Sequence, residues 1–228
     1  MPLASLAFLA PTFGVGAAPV PPPRPAQLAE VEDPTTSKPE PKQPVYQAAC
    51  PALMSDDVDA KIIPPTEHDG CGTQSPYQLN SIKVSGRDIK LATPATVNCA
   101  MATAFIDWVK RVDQLSRITH DAGIKSISTG TSYMCRRRNN AKTGKISEHG
   151  FANAIDLTGF VLTNGEQVQL PEAWQAGRED QKLIRQSHKL GCEIFTTVLG
   201  PEANALHKDH LHLDMGCHGK SCTYKICD

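Results

Sequence analysis

The chain has 228 residues, with 23 basic and 24 acidic side chains and a formal net charge of -1. This length supports one well-buried domain with an appended segment rather than several domains. The near-zero charge argues against a general nucleic-acid binder, because such proteins carry a large excess of basic residues.

Residues 1–17 have the character of a signal peptide. The stretch MPLASLAFLAPTFGVGA holds no ionisable side chain, and it is too short to cross a bilayer, which takes roughly 20 apolar residues. Val15, Gly16 and Ala17 supply the small side chains of a cleavage site. No basic residue precedes the apolar run, so the cysteines described below carry much of the argument for export. We predict an exported protein with no transmembrane span in the mature chain.

The next segment, residues 18–45, is rich in proline and poor in large apolar side chains. Such a composition cannot bury enough surface to offset the entropy of ordering, so it predicts a disordered, partly polyproline linker. A proline-rich ligand for another protein is the alternative interpretation. The remaining residues, 46–228, are predicted to form the domain.

Within the domain, residues 81–94 predict two strands around the polar turn at 85–88. Apolar residues then recur at three- and four-residue steps from Met101 to Leu115, which predicts a helix with Trp108 in the core. Further predicted elements are a strand at 124–134, a hairpin at 159–170 turning at Asn164 and Gly165, a helix at 176–190 ended by Gly191, and strands in EIFTTVLG and DHLHLDM. Long helices beside hairpins predict an α+β fold, with a central antiparallel sheet and flanking helices.

Eight cysteines follow the predicted signal peptide. An even number after such a segment predicts disulfides formed in an oxidising compartment. Eight cysteines allow 105 pairings, so the sequence does not choose among them, although a bond closing the C-terminal tail is expected. A structural zinc cluster at Cys217, His218, Cys222 and Cys227 is the alternative, but it lacks the close pairing of a zinc knuckle.

Two stretches carry candidate metal ligands. In DHLHLDM, a strand would project His210 and His212 from one face. The two histidines would then be two metal ligands, a ligand and an acid/base group, or two exposed side chains on an edge strand. In SEHGFANAID, His149 and Asp156 are seven positions apart, so they converge only if the chain bends between them; a solvated loop is the alternative. Together the stretches supply the three protein ligands of a catalytic zinc and one spare histidine.

SEHGFANAID resembles the SxHxxGxAxD motif of the zinc D-Ala-D-Ala peptidase, lysostaphin-like and hedgehog-like superfamily, and DHLHLD resembles its HxH motif. Ser147, His149, Ala154 and Asp156 match the first motif, whereas Ala152 stands where the motif has glycine. From about residue 46 to 228, with SYMCR and the cysteine-rich tail, the chain is similar to the bacterial extensin-like C-terminal family of that superfamily.

The resemblance implies a zinc-peptidase fold with Zn²⁺ held by His149, Asp156 and His212. It makes His210 the acid/base or transition-state histidine. SYMCR loosely resembles a GYR-like segment near the scissile carbonyl of such enzymes. Arg136 would then stabilise the oxyanion or bind a peptide carboxylate, or it is a surface cation of the run Arg136 to Arg138. His207 is expected to be a loop residue, although it lies close enough to His210 in sequence to enter the site. Asp214 either orients an imidazole or forms a surface pair.

The expected function is that of a periplasmic or envelope-associated zinc metallopeptidase, a DD-endopeptidase or carboxypeptidase acting on D-Ala-containing stem peptides or cross-links of peptidoglycan. In that account the zinc activates water and polarises the scissile carbonyl. Two alternatives stay open: a non-catalytic wall-binding protein that keeps the fold, and a structural envelope protein whose histidines are incidental. The sequence does not indicate an oligomeric state.

Overall fold

A computed structural model describes residues 49–228. The predicted signal peptide at 1–17 and the predicted linker at 18–45 lie outside the described residues. The described part is a mixed α+β structure built on a large, mostly antiparallel sheet, as predicted. Its strands are β1 Val58–Ile62, β2 Thr66–His68, β3 Cys71–Thr73, β4 Tyr77–Val84, β5 Arg87–Val97, β6 Ile124–Thr129, β7 Ala154–Leu162, β8 Gln167–Gln169, β9 Thr197–Leu199, β10 Leu211–Asp214 and β11 Ile226–Cys227.

The large sheet has the strand order β1-β4-β5-β6-β7-β10-β9-β11, and β8 pairs with β7. The pairs β5–β6 and β9–β11 are parallel, and the other pairs are antiparallel. Strands β2 and β3 form a separate antiparallel pair. Strands β7 and β10, which carry the candidate ligands Asp156 and His212, are therefore neighbours in the sheet.

Three α-helices accompany the sheet: α1 Cys99–His120, α2 Glu172–Gln175 and α3 Glu179–Ile194. The side chain of Asn98 begins α1 by accepting a hydrogen bond from the backbone N–H of Met101 at 2.9 Å. Trp108 is fully buried, as predicted, and its indole N–H donates to the carbonyl oxygen of Ser187 in α3 at 2.9 Å. This bond satisfies the one polar atom of the largest core side chain.

The two predicted hairpins are confirmed. Ser85 and Gly86 join β4 to β5 with φ of 51° and 75°, the two positive values that a tight hairpin turn requires. Gly165, with φ of 94°, lies in the turn between β7 and β8. The strand predicted at 124–134 is shorter than expected, because β6 ends at Thr129 and the following residues leave the sheet.

The predicted end of the second long helix at Gly191 is wrong. Helix α3 continues to Ile194, and Gly191 is buried inside it. A side chain on Gly191 would lie 3.3 Å from Val198 in β9 and 3.4 Å from Leu213 in β10. The glycine therefore does not end the helix. Its missing side chain allows α3 to pack closely against β9 and β10, the strand that carries His212.

All eight cysteines are described, and they form four disulfides: Cys50–Cys99, Cys71–Cys135, Cys192–Cys227 and Cys217–Cys222. The expected closure of the C-terminal tail is confirmed, since Cys192–Cys227 ties α3 to β11. No thiol is left for the alternative zinc cluster at the C-terminus. Four disulfides are consistent with an extracellular protein. Among residues 49–228, no helix has the length and apolar character needed to cross a membrane.

A buried carboxylate joins α1 to the sheet. Asp113 accepts hydrogen bonds from Arg87 at 2.9 Å, from Arg117 at 3.0 Å and from the backbone N–H of Ile124 at 2.7 Å. Its side chain is only 1% exposed. It therefore fixes the starts of β5 and β6 against the same helix.

We expect Asp113→Ala to lower the free energy of unfolding by about 3 kcal/mol, because it leaves a buried N–H and a half-buried guanidinium without their acceptor. The matched control is Asp107→Ala on the same helix, whose half-exposed carboxylate pairs only with Arg111. It should cost less than about 1 kcal/mol. Urea unfolding measures both, and equal losses would contradict the assignment of Asp113 as the buried anchor.

Candidate metal centre

Three buried side chains bring one ligating atom each to a common point. His149 Nε2 lies 3.2 Å from Asp156 Oδ1 and 3.2 Å from His212 Nδ1, and His212 Nδ1 lies 2.9 Å from Asp156 Oδ1. Asp156 and His212 face each other directly in the antiparallel pair β7–β10. The sheet register thus brings together two side chains that are 56 positions apart in sequence.

The chain bends between His149 and Asp156, as the spacing requires. Residues Glu148–Phe151 form one 3₁₀ turn, and Ala152 follows in the left-handed conformation with φ 52° and ψ 31°. This is the conformation that glycine adopts without strain, which gives a physical reason for the glycine of the resembled motif. Ala152 has no exposed surface, so its methyl group packs into the core although its backbone conformation is costly.

The bend is held by the residue that begins α1. The backbone N–H of Asn98 donates to the carbonyl oxygen of Ala152 at 2.7 Å, and the Asn98 side-chain amide donates to Asn153 Oδ1 at 2.9 Å. Since Asn98 also caps the helix, the start of α1 and the turn that carries His149 are fixed together.

Outer hydrogen bonds set the orientation of both imidazoles. His149 Nδ1 lies 3.2 Å from the carbonyl oxygen of Ser132, which can only accept, so Nδ1 carries the hydrogen and Nε2 offers a lone pair in the neutral ring. His212 Nε2 lies 3.0 Å from Asp214 Oδ2, which assigns its hydrogen to Nε2 and a lone pair to Nδ1. Two lone pairs and a carboxylate oxygen then converge, an arrangement that needs a cation.

In the metal-free protein a proton supplies that cation. Burial alone would lower the pKa of His212, but hydrogen bonds to Asp156 and Asp214 raise it from 6.5 to about 9. Burial would likewise raise the pKa of Asp156, but its hydrogen bonds to His149 and His212 hold it well below the usual range. The centre therefore favours the imidazolium–carboxylate pair when no metal is bound.

Asp214 is buried, so it does not form a surface ion pair. It contacts several groups in addition to His212. Besides its contact with His212, it accepts a hydrogen bond from the backbone N–H of Gly216 at 2.8 Å. Burial alone would raise the pKa of Asp214, but the hydrogen bonds with His212, Gly216 and Thr197 hold it below its usual value. The Thr197 hydroxyl lies 2.6 Å from His218 Nε2. His218, which the sequence placed only in the alternative C-terminal zinc cluster, is thereby linked to the centre.

His210 lies just before β10 rather than within it. Its Nε2 still lies 3.7 Å from Asp156 Oδ1, while its Nδ1 lies 2.9 Å from Asp209 Oδ1. The expected convergence of His210 and His212 is therefore present, although the strand alternation that predicted it does not extend to His210. Asp209 was missed because nothing in the sequence distinguishes it from other exposed acids.

A cavity of about 480 Å³ opens over the centre. Asp156, His210, His212 and Arg136 are among the residues that line it. His207 is a loop residue, as expected, but it is half-buried in the same wall, with its ring 5.2 Å from that of His210. Burial and the neighbouring His210 and His212 lower its pKa to about 4. Its position three residues before His210 was the only signal in the sequence.

We expect Ala152→Val to destabilise the protein by about 3 kcal/mol, because a β-branched side chain strongly disfavours a positive φ and overfills a buried site. Ala152→Gly is the matched control. It should change the free energy of unfolding little. The glycine variant gains roughly 1 kcal/mol from relief of left-handed strain, and it loses a similar amount through the added entropy of the unfolded chain and the lost burial of the methyl group. Urea unfolding measures both; a valine variant as stable as the glycine variant would contradict the left-handed turn.

We expect Asp214→Asn to lower the pKa of His212 in the metal-free protein, because it removes one of the two carboxylates that stabilise the imidazolium. In the unchanged protein the raised pKa contributes stability that is fully present below about pH 6.5 and is lost as the pH rises through about 9. NMR titration of the histidine rings in chelator measures the change. An unaltered His212 titration in the variant would contradict the contact.

Comparison with known proteins gives one result. The family model described as Extensin-like protein C-terminus matches residues 48–228. No curated protein and no solved structure matches the chain. The matched region covers all of the described residues, including the three converging side chains, His210 and all four disulfides. The chain belongs to the Extensin-like protein C-terminus family.

Proposed function

We propose that the protein is an exported zinc-dependent peptidase that hydrolyses D-Ala-containing stem peptides or cross-links of peptidoglycan. The observation that carries the proposal is the convergence of His149 Nε2, Asp156 Oδ1 and His212 Nδ1, three buried ligand atoms within 4.8 Å of one another. The two motifs that supply them resemble those of zinc D-Ala-D-Ala peptidases, whose fold we also propose for this domain.

The donor set fits zinc. Nitrogen and oxygen ligands bind Zn²⁺ at about 2.0–2.1 Å, so the ligand atoms of a tetrahedral site are about 3.3 Å apart. The three separations here are 2.9, 3.2 and 3.2 Å, so small movements suffice. Three protein ligands would leave a coordination position for water or substrate, as in catalytic rather than structural sites. Asp214 and the Ser132 carbonyl hold the two imidazoles in the required tautomers.

When bound, the ion would polarise the scissile carbonyl and lower the pKa of a water molecule towards about 7. The chain's own residues do the rest. Asp209 accepts from His210 Nδ1 and so leaves His210 Nε2 facing the centre. From there His210 can take a proton from the attacking water and later give it to the leaving amine, or stabilise the developing oxyanion as an imidazolium.

The surroundings support a peptide substrate. The cavity wall mixes charged groups with Met134, Leu199 and Leu206, so it offers both polar and apolar contacts. Arg136 lies on this wall and can donate charge-assisted hydrogen bonds to a substrate oxygen. We assign the protein to the periplasm or cell envelope, because four disulfides require an oxidising compartment and peptidoglycan is found there.

We expect purified protein to hold one zinc per chain and to cleave D-Ala-containing muropeptides. His212→Ala should lose both zinc and activity. His210→Ala should keep zinc but lower kcat by about 10²–10⁴-fold, because it removes the acid/base group and no ligand. Metal analysis and mass spectrometry of digested muropeptides measure both properties. The control is His68→Ala, whose exposed imidazole pairs only with Asp69; it should match the unchanged protein.

Each contrary outcome has a distinct meaning. Equal zinc loss in His210→Ala and His212→Ala would overturn the division of roles. A zinc-loaded protein that binds but never cleaves muropeptides would favour the non-catalytic wall-binding alternative. A protein without zinc would overturn the metal centre.

A further inference from the structure

One wall of the cavity is built from an unusually basic segment. Residues 136–145, RRRNNAKTGK, hold three arginines and two lysines and no acidic residue, in a chain whose formal net charge is -1. We call these ten residues the basic loop. The excess of positive over negative charge is therefore a local property of this segment and not of the whole chain.

The basic loop has a defined structure. The backbone of Arg137 pairs with Ile146 in an isolated antiparallel bridge, and the Arg138 N–H donates to the Lys145 carbonyl oxygen at 3.0 Å. The Arg137 guanidinium donates to the Gly144 carbonyl oxygen and closes the loop. The preceding residue, Cys135, is bonded to Cys71. The cations are thus carried by a closed, covalently anchored turn.

Part of the basic loop faces the same cavity as the candidate metal centre. Arg136, Arg138, Asn139 and Asn140 all line its wall. The side chain of Arg138 is paired with Glu148 at 3.1 Å, and Glu148 also accepts from Asn153. Arg138 is therefore largely neutralised.

Three other cations of the basic loop are available. Within residues 49–228, no carboxylate forms an ion pair with Arg136, Lys142 or Lys145. Arg136 is half-buried in the wall, whereas the two lysines are exposed. A guanidinium held in a cavity wall retains less hydration than one in bulk solvent, so a carboxylate that reaches it forms a strong, two-pronged contact.

We propose that the basic loop recognises carboxylates of the substrate, so that the preferred ligand is an acidic stem peptide with free side-chain carboxylates rather than its amidated form. This inference rests on the proposed function, since it takes the cavity to be a peptide site. Arg136 binds one carboxylate inside the cavity, and Lys142 and Lys145, exposed in the same loop, attract a second. A cavity of about 480 Å³ suits a peptide of a few residues, because pockets for small ligands have volumes of about 300–1,000 Å³.

The test measures binding separately from cleavage. The full chain carrying His210→Ala, which should bind without cleaving, is titrated calorimetrically with a stem pentapeptide ending in D-Ala-D-Ala. The same peptide with its side-chain carboxyls amidated is the comparison ligand. We expect Arg136→Gln to weaken binding of the acidic peptide about tenfold. The double variant Lys142→Gln/Lys145→Gln should weaken it about threefold. Both changes should have little effect on binding of the amidated peptide.

Lys125→Gln is the matched control, because Lys125 is an exposed cation on β6 outside the cavity wall; it should leave both affinities unchanged. Binding of the acidic peptide should also weaken as salt is raised. Equal affinity for the two peptides, or unchanged affinity in Arg136→Gln, would overturn the inference. Tighter binding of inorganic polyphosphate than of the acidic peptide would also overturn it.

Failure of the proposed function gives a different result. If the unsubstituted protein, which retains His210, binds the acidic peptide through Arg136 but never cleaves it, the recognition stands and the peptidase activity does not. If it cleaves both peptides with the same KM, the activity stands and the recognition by the basic loop does not.

Discussion

The main physical constraint on the site is the electrostatic repulsion among three buried acceptor atoms. His149 Nε2, Asp156 Oδ1 and His212 Nδ1 lie 2.9–3.2 Å apart with almost no exposed surface. Without a cation between them, their lone pairs and the carboxylate charge would oppose folding, because burial removes the water that would screen them. A proton on His212 relieves the repulsion in the metal-free protein, and a divalent ion would relieve it more completely. Much of the surrounding structure can be understood as the means of holding these atoms in place.

Three parts of the fold hold them. The β7–β10 register sets Asp156 opposite His212. The left-handed turn at Ala152, fixed by Asn98, returns His149 to the same point. Asp214, through Thr197 and His218, connects His212 to the C-terminal loop closed by Cys217–Cys222. The Cys217–Cys222 disulfide thus closes a loop that is hydrogen-bonded to the site, and it limits the movement of that loop.

The sequence predicted those features that depend on local pattern. The stripe of α1, the turn at Ser85 and Gly86, and the required bend after His149 all follow from periodicity or from single-residue backbone preferences. Features that depend on distant contacts were missed or mispredicted. Gly191 has the appearance of a helix end, but packing against Val198 and Leu213 keeps it within α3. The pairing of Asp209 with His210, the position of His207 and the disulfide connectivity likewise depend on which segments meet in space.

The most direct test of the metal centre is a crystal structure of the zinc-loaded protein with diffraction data collected at the zinc absorption edge. The account predicts one strong anomalous peak per chain within about 2.0–2.1 Å of His149 Nε2, Asp156 Oδ1 and His212 Nδ1, with His210 close by but not coordinating. No peak at this point, or a peak coordinated by His210 in place of His212, would contradict it.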